Sequence, residues 1–241
     1  MTLWRNLLKT ALQGLRQWWR HPMRALQVKG ESAEVLVPIV SMDERHKDKI
    51  LTHLLQLSAQ DRVLRFGYPA TDEQIGRYVQ GMNFQRDHIY GIFNVALRIE
   101  ALAHLSIEQR KDGATLGEFG VSVRQKSRGK GLGNRLFERA MVHARHEGVS
   151  IFYIHALSEN APMLAIARHH GATLERDGSE TEAYLRLPPA DLESELEDWV
   201  IDQYGRINYS VKEQVKSFVD AVSQVQEIRQ AVREGRHQSA S

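Results

Sequence analysis

Apolar and polar positions along the chain change period several times, and each change predicts an element. Leu3, Trp4, Leu7, Leu8, Ala11, Leu12, Leu15, Trp18 and Trp19 recur at helical spacing and give one apolar stripe. The β-rich run from Ala33 to Val40 predicts a first strand, ended by Ser41. Ser41 and Glu44 then make a capping-box pattern opening a helix that buries Ile50, Leu51, Leu54 and Leu55. Thr71 and Gln74 repeat the pattern before a shorter helix with Ile75 and Val79. Between these helices, Arg62 to Pro69 holds Gly67 and Pro69 and reads as a shaped loop.

Two runs rich in Ile, Val, Phe, Tyr and Leu follow, His88 to Asn94 and Ala96 to Glu108, broken near Asn94 like a hairpin. Lys111-Asp112-Gly113 is a turn. Leu116 to Arg124 is a strand in which Glu118, Gly120 and Ser122 alternate with Phe119, Val121 and Val123. A glycine-rich stretch and a helix through His146 come next. Ile151 to Ala156 predicts a strand, Ala161 to His169 a helix, and Ala172 to Leu187 a hairpin around Asp177-Gly178.

Pro188-Pro189 closes this body, and from Asp191 to Asp202 there are six acidic residues and no basic one. Ser210 and Glu213 offer a further capping box. Val211, Val215, Phe218, Val222, Val225, Ile228 and Val232 then make an amphipathic helix, too short to be strong support for a coiled coil and most simply packed on its own body. The resulting division is a helical arm over 1–32, a body over 33–188 and an acidic segment with a helix over 189–241.

The 241 residues carry 32 Lys and Arg against 30 Asp and Glu, a net charge of +2. That value conceals an asymmetry. Arg5, Lys9, Arg16, Arg20, Arg24 and Lys29 fall within the first 30 residues without one acidic residue, leaving 26 basic against 30 acidic in the remainder. A basic amphipathic arm suits a peripheral membrane contact, a docking face for its own body, or a second subunit and hence a homodimer. It lacks the apolar core and small-residue cleavage site of a secretory signal, and no apolar run spans a bilayer, so the expected location is the cytoplasm, with or without a membrane contact. Low overall charge and few interleaved aromatics argue against nucleic acid as a partner. With no cysteine, the chain can form neither a disulfide nor an acyl-cysteine intermediate.

The chemistry concentrates in Val121-Ser122-Val123-Arg124-Gln125-Lys126-Ser127-Arg128-Gly129-Lys130-Gly131-Leu132-Gly133. A strand runs into a basic glycine turn and then a helix, an arrangement that aims backbone N–H groups and the positive helix end at one anion, such as a pyrophosphate. Neither the Walker A spacing nor Gly-x-Gly-x-x-Gly fits the register.

Arg128-x-x-Gly131-x-Gly133 after a Val-x-Val strand resembles the acetyl-CoA motif of the GNAT superfamily of N-acetyltransferases. Asn160 to Ala167, leading to Gly171-Ala172, is similar to that family's Asn-led helix, with Ala172 in the place of an aromatic. Glu118 to Val121, Asn160 to Leu164 and Asp61 to Phe66 resemble in part the bacterial protein-lysine acetyltransferase branch. The resemblance covers Ala33 to Pro188. It implies an α/β fold with a GNAT-like mixed, mostly antiparallel twisted sheet flanked by helices, here with N- and C-terminal helical extensions.

It also implies an acetyl-CoA-dependent N-acetyltransferase acting on a primary amine, for which a protein lysine is one candidate. Val121 and Val123 would bond the pantetheine arm, and the Val123 N–H would polarise the thioester. Arg128, Gly129, Lys130, Gly131, Leu132 and Gly133 would hold the pyrophosphate, and Asn160 would anchor the cofactor or a water or simply cap its helix. Glu118, three residues before Val121, is the candidate general base, against the alternative of a solvated strand residue. Many family members carry a tyrosine seven residues after the asparagine to protonate the leaving thiolate. Here that position is Ala167, for which His155, Ser158 and His170 are candidate substitutes. The departure leaves open a catalytically inactive CoA-sensing or interaction module. His143 and His146 lie one helical turn apart without an evident third ligand, so no metal is expected.

Overall fold

The computed structural model describes residues 37–110, 113–188, 202–217 and 220. The chain divides into the units Met1–Val37 and Pro38–Ser241, and all described residues except Val37 belong to the second. The predicted arm over 1–32, the acidic run from Asp191 up to 201 and almost all of the helix beyond Lys216 lie outside the described residues.

The order is β1 (Val40–Met42), a short 3-10 turn (Glu44–His46), α1 (Lys47–Leu55), α2 (Ala59–Phe66), α3 (Asp72–Gln80), β2 (His88–Phe93), β3 (Ile99–Gln109), β4 (Thr115–Val123), a second 3-10 turn (Gln125–Ser127), α4 (Leu132–His146), β5 (Ile151–Leu157), α5 (Ala161–His169), β6 (Thr173–Asp177) and β7 (Glu180–Arg186). A last helix, α6, spans 202–217. The seven strands form one sheet in the order β1-β2-β3-β4-β5-β7-β6, antiparallel throughout except for the parallel pair β4–β5. This is the mixed, mostly antiparallel sheet that the resemblance implied. Among the described residues, no helix is long and apolar enough to cross a membrane.

The strand alternation sorts two cores. On one face, Ile50, Leu54, Ile75 and Val79 of α1 and α3 pack on Met42, Ile89, Phe93 and Leu102. On the other, Phe137 of α4 meets Phe119 and Phe152 edge-on, at ring separations of 5.1 and 5.2 Å. Edge-to-face stacking of this kind adds about 1 kcal/mol per pair to the burial itself.

Several local expectations are corrected. The first strand is Val40–Met42, so Ser41 lies inside it and its hydroxyl donates to Asp202 of α6 (2.6 Å). Asp43 takes over the cap, in a capping box with His46. The stretch from Arg62 is largely helix: Ser58 accepts from the Asp61 N–H to start α2, and only Gly67, at φ +81°, stops it. The Arg62 guanidinium reaches the carbonyls of Leu55 (2.8 Å) and Ala70 (3.1 Å), so the one helix that the Gly-Pro pattern concealed is tied to the end of α1 and to the approach to α3. Ser210 is no cap either. It sits inside α6 and its hydroxyl donates to the Ile207 carbonyl, one turn back.

That last helix docks on the body: Tyr209 packs edge-on to Phe93 at 4.9 Å, and the Lys212 Nζ donates to the Phe93 carbonyl at 2.8 Å. Burial pushes the Lys212 ammonium down to about 8.

Candidate active site

The parallel pairing of β4 with β5 runs from Leu116↔Ile151 to Glu118↔Tyr153 and stops there. Beyond Glu118 the two strands part. The Arg124 N–H donates to the Glu100 carbonyl on β3 (2.9 Å), so Ser122 and Gly120, in step with Arg124, turn their backbone groups to β3. Val121 and Val123, out of step, turn theirs to the side β5 has vacated. A cleft of about 380 Å³ opens there, lined by Val121, Val123, Arg128, Gly129, Gly131, Leu132, Gly133 and Asn160 together with Leu64, Pro162 and Ile166.

The glycine turn follows from the sequence as expected. Gly129 and Gly131 both hold φ +72°, and Gly131 caps α4 with its backbone alone. A side chain there would be strained by about 1–3 kcal/mol. The first N–H groups of α4 have no helical acceptor and front the cleft, where the helix end carries partial positive charge. The turn is backed by Glu100, whose buried carboxylate accepts from Ser127 Oγ (2.5 Å) and Asn94 Nδ2 (2.5 Å) and lies 3.1 Å from Lys126 Nζ. Glu100 was not singled out in the sequence, where an acidic residue within the apolar run from Ala96 to Glu108 is the one signal that points to it.

Apolar walls for a pantetheine arm and a backbone cradle for a pyrophosphate fit acetyl-CoA. The two basic residues of the turn are placed differently from each other. Arg128 pairs with Asp61 of α2 at 2.5 Å, bridging the mouth of the cleft, and Lys130 is exposed outside its lining. Asn160 caps α5 by accepting from the Met163 N–H (3.3 Å) and also donates to the Leu64 carbonyl (3.2 Å), so it ties α2 to α5 at the cleft floor.

A second cleft of about 310 Å³ adjoins the first and shares Leu64, Arg65, Val121, Asn160 and Met163 with it. Glu118 is exposed and lines only this one, beside Tyr78, His104, Ser106 and His155. Its strand neighbour Gly120 has a purpose here, because a Cβ on it would sit 2.7 Å from the Arg65 guanidinium. Arg65 donates to the Tyr78 hydroxyl (2.8 Å), that hydroxyl lies 2.5 Å from His104 Nδ1, and His104 Nε2 lies 3.5 Å from Asp87.

Burial raises the Tyr78 phenol, against the nearby Arg65 charge. For Asp87, burial acts to raise the carboxyl, yet hydrogen bonds from His104, the Asn83 N–H and Arg86 hold it far below the usual range. This chain of four was missed in the sequence, since α2, α3, the residue before β2 and β3 each supply one member. Of the substitutes for the absent tyrosine, His155 lines the cleft. Ser158 is bonded within the β7 turn and His170 is stacked on Phe137 (4.8 Å). Ala167 is fully buried.

The family model of the acetyltransferase (GNAT) domain matches residues 42–173, more than half of the chain. The chain belongs to the GNAT acetyltransferase family. Solved GNAT structures share its fold at low identity. The GNAT domain of S. lividans PAT is 17% identical, with a TM-score of 0.53 over 64% of this chain and 96% of that one. RimL, a ribosomal L7/L12 α-N-protein acetyltransferase solved with coenzyme A, is 19% identical, with a TM-score of 0.51 over 66% and 98%. Spermidine N-acetyltransferase from Vibrio cholerae, solved with CoA and spermine, is 14% identical, with a TM-score of 0.50 over 64% and 96%. The GNAT match excludes the first 41 residues and everything after 173. The clefts nonetheless draw on no residue outside the 42–173 span.

Proposed function

We propose that this GNAT chain transfers the acetyl group of acetyl-CoA directly to a primary amine, with the ε-amino group of a protein lysine as the acceptor. The observation that carries the reading is the joining of two unlike clefts at Val121, one suited to the acyl donor and one holding Glu118. Acetyl-CoA supplies an activated thioester carbonyl. The Val123 N–H stabilises the negative charge that develops on the carbonyl oxygen as the amine attacks, which is where a fixed donor lowers the barrier most. Glu118 takes the ammonium proton, directly or through water, freeing the nitrogen lone pair. An unperturbed lysine at about 10.4 needs such a base near neutral pH. Carboxylates continue along the acceptor side, with Glu180 3.3 Å from His155 and Glu182 accepting from Tyr153 (2.9 Å), a border suited to a cationic acceptor.

The test is incubation of the full chain with acetyl-CoA and a panel of lysine peptides and small amines, reading free CoA and acetylated product by mass spectrometry. Stoichiometric CoA release with acetyl-lysine formation supports the proposal, and absence of both across the panel sinks it. Ala167 in the place of the family's tyrosine favours a second reading, a CoA-sensing module without turnover. That reading requires saturable CoA binding with no CoA released from acetyl-CoA.

A further inference from the structure

The sheet face opposite Glu118 carries a histidine group for which acetyl transfer has no use. In sequence, His143 and His146 of α4 lack a third ligand. The fold supplies two more donors. His88 of β2 brings its ring centroid to 4.1 Å from that of His143, and Glu147, one turn further along the helix, places Oε1 3.5 Å from His143 Nε2. One donor atom each from His88, His143 and Glu147 lies within 4.8 Å of the others. The two histidines border a cavity of about 460 Å³ that His146 also lines, with the His146 Nε2 buried and without a hydrogen-bond partner among the described residues.

We propose that His88, His143 and Glu147 form a site for one divalent cation of the zinc class, tying β2 to the C-terminal end of α4, with water from the cavity in the fourth position. Two imidazoles and a carboxylate are the borderline nitrogen and oxygen set that zinc accepts. Ligand atoms about 2.0–2.1 Å from a tetrahedral zinc stand roughly 3.3 Å apart, so the three donors need to close by about 1.5 Å at most. Glu147 is exposed and free to rotate by that amount.

Arg139, which lines the same cavity, lies over the Tyr90 ring (5.0 Å) and 3.7 Å from Asp202, whose carboxylate partly offsets its charge. His143 lies about 18 Å down α4 from the Gly131 cap, at 1.5 Å per residue. The cation therefore braces the helix that ends in the pyrophosphate cradle and takes no part in acetyl transfer.

The experiment uses the full chain, stripped with a chelator and dialysed, then titrated with Co²⁺ as a coloured stand-in for Zn²⁺. The expected result is one saturable equivalent with the strong visible absorption of four-coordinate Co²⁺, displaced by Zn²⁺, and a Zn²⁺-dependent rise in Tm. Glu147→Gln, on an exposed side chain, should leave the metal-free Tm unchanged. It should weaken Zn²⁺ binding at least as much as loss of an outer partner, about 10–100-fold. His143→Ala should abolish the Co²⁺ absorption. No saturable uptake, affinity weaker than millimolar, or uptake that survives both substitutions overturns the proposal. CoA binding by stripped protein should stay unchanged, so failure here is distinct from failure of the acetyltransferase reading.

Discussion

The two clefts that meet at Val121 are built in opposite ways. The donor cleft draws its polar groups from backbone set between apolar walls: the N–H edge of a strand that has lost its neighbour, two glycines at φ +72° and the start of α4. The acceptor cleft is made of side chains from separate elements, Arg65, Tyr78, His104 and Glu118. Backbone recognition depends on chain geometry and tolerates changes of side chain. Side-chain recognition depends on each group and its support. Substitutions should therefore separate into those that move donor affinity and those that move turnover.

The largest separation is expected at Glu118. Glu118→Gln keeps the shape of the cleft and removes the base, so kcat should fall by about 10²–10⁴-fold. Calorimetric affinity for CoA should remain, because Glu118 lines only the acceptor cleft. An equal loss of both would show that the clefts act as one and would remove the assignment of Glu118 as base.

The strand shared by the clefts has a pH-sensitive support. The His53 Nδ1–H donates to the Ile99 carbonyl (3.2 Å), leaving Nε2 to accept from Ser122 Oγ (2.9 Å), so the ring is bound in its neutral form. Burial pushes it down to about 4 from 6.5, against the pull of the Ile99 carbonyl. A depressed imidazole means that the unfolded chain binds the extra proton first, so this stability is fully present above pH 6.5 and is lost as pH falls toward 4. The loss should reach about 3 kcal/mol, roughly a hundredfold in the unfolding equilibrium. Urea midpoints measured across that window should flatten in His53→Gln; an unchanged pH slope would reject the assignment.

On the donor side, Gly131→Ala meets no neighbouring atom but must adopt φ +72°. The strain of about 1–2 kcal/mol should appear as about tenfold weaker CoA binding with kcat at saturating donor nearly unchanged. A fall in kcat without a change in affinity would break the division between backbone and side-chain recognition.

The same division explains what was legible beforehand. The α4 start and the donor cleft follow from local pattern, because Val-x-Val and the glycines lie in one run of 121–133 and the Asn160 cap needs only its own helix, while the mixed sheet was implied by the resemblance those motifs carry. The acceptor cleft was legible only at Glu118. Arg65 was hidden inside a stretch whose Gly67 and Pro69 suggested a loop, and neither Tyr78 nor His104 signals by spacing that the two meet across 26 residues. The meeting of His88 with His143 was hidden for the same reason, since His88 comes from a strand whose register alone brings it to α4. At the chain's end, Ser210 looked like a cap, whereas the contacts of Ser41 and Lys212 draw the helix back to start by 202.

The smallest effect, and the finest test of the contrast, is Tyr78→Phe. The Asp87 carboxylate can only accept, so His104 turns an Nε2–H toward it and a neutral ring has Nδ1 left to accept from the phenol, which itself accepts from Arg65. Removing it leaves the His104 lone pair and one Arg65 N–H without a partner, while the ring still packs edge-on to Phe66 at 5.4 Å. The cost should be about 1 kcal/mol, or roughly fivefold in kcat/KM for the amine. Because Tyr78 belongs to the acceptor cleft alone, CoA affinity should not move. Arg65, which lines both clefts, is the route by which it could. A matching fivefold loss of CoA affinity in Tyr78→Phe would mean that Arg65 couples the two, and that the acceptor side chains also set the donor strand's geometry.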